Sequence, residues 1–138
     1  LLQLEVHSIE NWKDIAEKIK SLITHNILFL KGDLGSGKTT FTRFLVHSLG
    51  SKDNVNSPTY SIVNEYDSPA GKIFHFDLYR LKSPMELYEI DIEEYLENAY
   101  LSIIEWPELL EREIPNLVHH KIKITNTKDN IRMIKYIQ

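Results

Sequence analysis

The chain has 138 residues, 42% of them hydrophobic and 26% charged, which is one domain's worth of ordinary globular composition, and no apolar run approaches the length of a membrane span. A formal net charge of -4 argues against a protein that coats nucleic acid by itself, since such binding rests on a basic surface, so neither DNA nor a membrane is an expected partner. The absence of cysteine excludes disulfides, thiolate catalysis and zinc sites built on sulfur. It fits a reducing compartment, and Leu1 to Val6 lacks the basic region and apolar core of a secretory signal, so the cytoplasm is the expected location.

Leu2 to His7 alternates like a strand. Ser8 and Asn11 can cap the helix that follows, where Trp12, Ile15, Ile19 and Leu22 or Ile23 recur at helical spacing. A buried strand over residues 26–31 leads into Gly32-Asp33-Leu34-Gly35-Ser36-Gly37-Lys38-Thr39, and a helix runs on from there to about Leu49, closed by Gly50. Tyr60 to Tyr66 and Lys72 to Leu78 alternate on either side of a Ser68-Pro-Ala-Gly71 turn and predict a hairpin. Pro84 opens a helix to about Asn98 with Met85, Leu87, Tyr88, Ile92, Tyr95 and Leu96 largely on one side. A short apolar strand from Tyr100 to Glu105, a brief helix from Pro107 to about Arg112, and strands Val118 to Thr125 and Ile131 to Ile137 complete the chain. Helices flanking several strands predict a single α/β domain over residues 1–138: a compact three-layer sandwich of the phosphate-loop NTPase type, with a mixed, mainly parallel sheet and an antiparallel hairpin.

The glycine-rich run is G-x-x-x-x-G-K-[ST] in a strand, loop, helix context. Its glycines let backbone N–H groups curl around phosphates, Lys38 reaches the outer phosphates, the Thr39 hydroxyl can ligate Mg2+, and the helix adds the positive end of its dipole. Asp33 to Thr40 are therefore candidate nucleotide ligands. Such a loop needs a metal-side carboxylate at the tip of a neighbouring strand. Asp77 ends one apolar strand and Glu105 ends another, and spacing does not rank them. In Asn54-Val-Asn-Ser57-Pro58-Thr59-Tyr60, Ser57 and Thr59 offer hydroxyls to phosphate, water or metal; the segment reads either as a mobile switch or as an ordinary turn into a strand. Trp106 packs against the nucleotide or its loop, or belongs to the core, His75 is structural, and Arg80 approaches a strand end with a salt bridge as its plain reading.

Charge is uneven. Residues 85–98 carry six acids and no base, whereas residues 121–138 carry Lys121, Lys123, Lys128, Arg132 and Lys135 against Asp129 alone. Each stretch is either a solvated face or a docking surface, the basic one being better suited to RNA or an acidic protein.

Gly32 to Thr40, Ser57-Pro-Thr-Tyr60, His75-Phe-Asp-Leu-Tyr-Arg80 and Glu105-Trp-Pro-Glu108, in this order, resemble the TsaE family, the bacterial ATPases of tRNA threonylcarbamoyladenosine biosynthesis. The resemblance runs from about Leu4 to the last strand. It implies an ATP- and Mg2+-dependent subunit, weak alone, that binds the TsaB-TsaD heterodimer, meets tRNA only through it, and hydrolyses ATP to reset it between turnovers. It also implies that Lys38 binds phosphates, that Thr39 and Glu105 hold Mg2+, that Asp77 is the acid needed for hydrolysis, and that Ser57 to Thr59 are a switch near the γ-phosphate. The resemblance further implies a base pocket lined by residues that fall near Ser8 and Asn130. Ser36 stands where many members have alanine.

Three other classes compete. A GTPase would need Asn-Lys-x-Asp, but Asn126-Thr-Lys128-Asp129 has the order wrong. A small-molecule kinase would carry an arginine-rich lid, and this chain has only Arg43, Arg80, Arg112 and Arg132. A regulatory module without catalysis could dispense with Asp77 and Glu105, and both are present.

Overall fold

A computed structural model describes residues 1–127 and 129–138. Lys128, part of the basic stretch and of the rejected guanine motif, lies outside the described residues. The elements are β1 (Leu2–Val6), α1 (Ile9–Leu22), β2 (Ile27–Lys31), α2 (Lys38–Ser48), β3 (Val63–Ser68), β4 (Gly71–Asp77), α3 (Pro84–Glu89), α4 (Ile92–Asn98), β5 (Leu101–Glu105), α5 (Glu108–Glu113), β6 (His120–Asn126) and β7 (Arg132–Ile137). All seven strands form one sheet in the order β1-β7-β6-β2-β5-β4-β3. The central strands β6, β2, β5 and β4 pair in parallel, and β1, β7 and β3 add antiparallel partners at the edges.

The central strands are covered on both faces, and their composition reflects it. On β2, Leu28 and Leu30 point into a layer with Trp12, Ile15, Ile19, Phe41 and Leu45 of α1 and α2. Ile27 and Phe29 of the same strand point the other way, against Leu87, Ile92, Leu96, Leu109 and Leu110 of α3, α4 and α5. Each such buried aliphatic or aromatic side chain contributes about 1.5–3 kcal/mol. A strand apolar on both faces therefore holds both helical layers to one sheet, giving the expected three-layer sandwich. It also brings the ends of β2, β4 and β5 together at one rim.

Three local features differ from the sequence expectations. The helix opened by Pro84 breaks at Ile90 and Asp91, and Asp91 takes the left-handed conformation (φ 56°). The break turns Leu87, Ile92 and Leu96 into the core and leaves Met85 and Tyr88 exposed; at about 100° per residue Leu87 and Leu96 would face opposite sides of one straight helix. β3 begins at Val63 rather than Tyr60, since Ile62 N–H closes a turn onto the Pro58 carbonyl at 2.8 Å. Among the described residues Arg80 forms no salt bridge: its guanidinium donates to the Tyr60 carbonyl at 2.6 Å and lies over the Tyr60 ring.

Candidate functional site

The phosphate loop leaves the C-terminal tip of β2 and is braced from below and from the side. Gly37 caps α2 with φ 113°, and a Cβ there would sit 2.7 Å from Trp12 Cζ2, so only glycine lets the helix start this close to α1. A Cβ on Gly32 would meet the Ser36 hydroxyl at 2.6 Å and the Ile124 carbonyl at 2.8 Å. Arg132, at the start of β7, donates from Nε to the Ser36 carbonyl (2.8 Å) and from Nη2 to the Gly35 carbonyl (3.2 Å). The last hairpin thus grips the loop by its carbonyls. In a trans peptide the N–H lies opposite the C=O, so the Gly37 amide is turned away from that guanidinium.

Lys38, only 7% exposed, donates to the Gly32 carbonyl, lies 3.8 Å from Glu105 Oε1, and sits 4.4 Å above the Trp106 ring. Trp106 takes a left-handed conformation (φ 54°) and packs on Tyr79, so it is a wall behind the lysine rather than a core residue. Glu105 is buried, and its Oε2 is 2.5 Å from His75 Nε2. His75 is fully buried as well, with Tyr66 Oη 3.3 Å from its Nδ1. Burial pushes the Tyr66 hydroxyl up in pKa and the nearby Glu105 charge adds to the rise, so the phenol keeps its proton.

Register decides which acids meet. Asp77 and Glu105 are direct partners across the parallel β4 and β5, which places both carboxylates side by side at the strand tips. Asp77 accepts from the Thr59 hydroxyl (3.3 Å) and from Tyr79 N–H (3.0 Å), and Thr59 in turn shares a hydrogen bond with Ser57 (2.8 Å). A cleft of about 270 Å3 between the loop and these tips is lined by Leu34, Gly35, Gly37, Lys38, Thr39 and Thr40 on one side. Ser57, Thr59, Asp77, Glu105 and Arg132 line the other. A larger cavity, of about 410 Å3, lies beside α4, but Asp91 and Glu94 in its wall are unsuited to phosphate.

Of the candidate site residues named from the sequence, five are not in the wall of this cleft: Ser8, Asp33, Ser36, Trp106 and Asn130. Ser8 and Asn130 are exposed at the shared end of β1 and β7, where Val6 pairs with Arg132, so the strand register carries both to the loop's flank. Asp33 and Trp106 line an adjoining hollow. Ser36 turns its hydroxyl inward, where it is buried without a partner among the described residues, and its N–H bonds the Asp33 carbonyl at 3.1 Å. Two residues gain weight that the sequence did not assign them. Arg132 was legible only as one charge in a basic stretch, two residues past Asn130. His75 stands two residues before Asp77 on the same face of β4, and its signals were the period-2 alternation and its place at the head of the His75-Phe-Asp-Leu-Tyr-Arg80 motif.

Comparison with known proteins agrees with this geometry. The family model described as threonylcarbamoyl adenosine biosynthesis protein TsaE matches residues 6–134. A Rickettsia typhi protein named tRNA threonylcarbamoyladenosine biosynthesis protein TsaE is 36% identical over 136 residues, covering 94% of each chain. A Haemophilus influenzae protein of the same name is 44% identical over 98 residues, covering 70% of this chain and 62% of that one. The crystal structure of YdiB from Bacillus subtilis superposes with a TM-score of 0.75 at 28% identity, covering 98% of this chain and 83% of that one.

Proposed function

The chain belongs to the TsaE family, and from that premise we propose that it is the ATP-hydrolysing subunit of tRNA threonylcarbamoyladenosine biosynthesis, binding a TsaB-TsaD heterodimer and resetting it between turnovers. The supporting observation is the convergence of the phosphate loop, two paired strand-tip carboxylates and the Ser57–Thr59 segment on one cleft.

In this reading ATP lies along the loop with its phosphates on the amides and Lys38, and its base toward Ser8 and Asn130. The donors available to a cation are the Thr39 hydroxyl and the carboxylates of Glu105 and Asp77, all hard oxygens of the kind Mg2+ prefers. Among the described residues no three His, Cys, Asp or Glu side chains group as a metal site. That suits Mg2+, which keeps several waters and shares phosphate oxygens. When bound it neutralises charge on the β- and γ-phosphates. The protein's own part is positional. Lys38 would leave the Gly32 carbonyl and Glu105 for the γ-phosphate, Asp77 would orient the attacking water, and Thr59, already bonded to Asp77, would report the γ-phosphate to the switch segment. With both acids present, hydrolysis is favoured over a purely regulatory role.

The test is phosphate release from ATP and from GTP by the protein alone and then with TsaB, TsaD and tRNA. Slow ATP turnover that rises sharply only with the partners is the expected result, and Lys38→Ala should abolish it. Fast turnover alone, or GTP turnover indifferent to the partners, would overturn the reading.

A further inference from the structure

The two acids of the cleft are tied to the Ser57–Thr59 segment by different routes. Asp77 is tied directly, through the Thr59 hydroxyl. Glu105 is tied through a buried chain: His75 Nε2 lies 2.5 Å from Glu105 Oε2, His75 Nδ1 lies 3.3 Å from Tyr66 Oη, and Tyr66 Oη lies 3.2 Å from the Asn56 carbonyl. Asn64 Nδ2 donates to that same carbonyl at 3.0 Å. An ionised Glu105 only accepts, so His75 carries a hydrogen on Nε2. Nδ1 of that ring and the Asn56 carbonyl then share the single hydrogen of the Tyr66 hydroxyl, at 3.3 and 3.2 Å. The Tyr66 hydroxyl thus joins the imidazole to the Asn56 carbonyl.

From this we infer that His75 is a positioning residue, which fixes the Glu105 carboxylate and links it through Tyr66 to Asn56 at the root of the switch segment. The inference rests on the reading of Glu105 as a metal-side acid. A carboxylate free to rotate would lose orientation toward a cation; one clamped by an imidazole presents its other oxygen, the one already facing Lys38, to the cleft. The same clamp couples the acid's position to that of residues 57–59, because moving Asn56 pulls on the Tyr66 hydroxyl and hence on the ring.

Two amide substitutions divide the imidazole's roles. The side-chain nitrogen of His75→Gln can reach the Nε2 position and keeps a donor for Glu105, whereas that of His75→Asn falls near Nδ1 and keeps only the Tyr66 side. For each variant and for Glu105→Gln, ADP affinity is measured by calorimetry in EDTA and in Mg2+. The quantity read is the ratio of the two dissociation constants, which a general loss of fold would not change selectively. In His75→Asn the ratio should fall by about 10- to 100-fold, as in Glu105→Gln, with the affinity in EDTA unchanged, while His75→Gln should retain it within about threefold. For Tyr66→Phe, which keeps the ring, amide exchange at residues 57–61 should no longer slow when Mg2+ and nucleotide are added. A ratio in His75→Asn equal to that of the unaltered protein, or undiminished protection in Tyr66→Phe, would overturn the inference. If the unaltered protein itself shows no Mg2+-dependent gain in affinity, the role given to Glu105 falls instead.

Discussion

Lys38 and Glu105 face each other across 3.8 Å with 7% and 4% of their side chains exposed. Their attraction at that distance is about 4 kcal/mol at an effective dielectric constant of about 20, but desolvating both ions cancels much of it. The pair therefore adds little net stability while it is intact, and removing one member is costly. Breaking such a pair costs about 3–5 kcal/mol because the survivor is left buried and uncompensated. Here the survivor keeps one polar partner, the Gly32 carbonyl for Lys38 or His75 for Glu105, which places the expected cost near 3 kcal/mol. For a domain of this size that is a fall in Tm of about 10 °C. The double variant Lys38→Met/Glu105→Gln has neither charge. It should be more stable than either single variant, with a coupling of at least about 2 kcal/mol, measured by urea unfolding in EDTA without nucleotide. Adding pyrophosphate should restore stability to Glu105→Gln, whose lysine gains a new anion, and not to Lys38→Met. Costs that simply add to within about 0.5 kcal/mol would show that the two groups do not sense each other, and that Lys38 is not held in reserve by the acid it would leave when ATP binds.

Asp77→Asn keeps its carbonyl acceptor for Tyr79 N–H and turns an amide donor to the Thr59 hydroxyl oxygen, but loses the charge that would orient water; ATP affinity should change by less than about threefold while partner-stimulated turnover falls about 100-fold or more, and normal turnover would remove Asp77 from the catalytic set. Arg132→Lys cannot fork to the Gly35 and Ser36 carbonyls, so KM for ATP should rise about tenfold with kcat little changed, and an unaltered KM would refute the grip. Ser36→Ala removes a buried hydroxyl that has no partner among the described residues, and should raise stability by up to about 1 kcal/mol in thermal unfolding rather than lower it. His120 accepts the N–H groups of Thr24 (2.9 Å) and His25 (3.0 Å) on Nε2, a bond possible only while that nitrogen is unprotonated. Burial, with smaller contributions from His25 and His119, holds its pKa below the usual 6.5. The unfolded chain therefore takes up the proton first, and the stability due to His120 is whole above pH 6.5 and lost as pH falls toward the folded pKa. The Tm of the unaltered protein should drop as pH falls below about 6.5, and His120→Gln should flatten that slope.

What the sequence made legible follows from the range of each interaction. The phosphate loop is local: the glycine at 37, the lysine beside it and the helix after it are consecutive, so their spacing carries the chemistry. Strand and helix types were legible for the same reason, through the two-sided apolar run of residues 27–30 and the helical recurrence of Trp12, Ile15 and Ile19. The break at Asp91 was not, because six acids and no base over residues 85–98 read as a solvated face whether or not the helix bends. The strand-tip acids were identified one by one, but the relation between them depends on register. Only the pairing of Asp77 with Glu105 shows that they share a site, and only the same register sets His75 diagonally across from Glu105. A slip of one residue in that pairing would turn His75 and Asp77 to the opposite face and separate both acids from Lys38. The apolar residues of β4 and β5 therefore do more than fill the core. Phe74 and Phe76 on one face, with Ile73 and Ile103 on the other, hold the register on which the cleft's charge arrangement depends, so a packing change there should reach the chemistry before it reaches the fold.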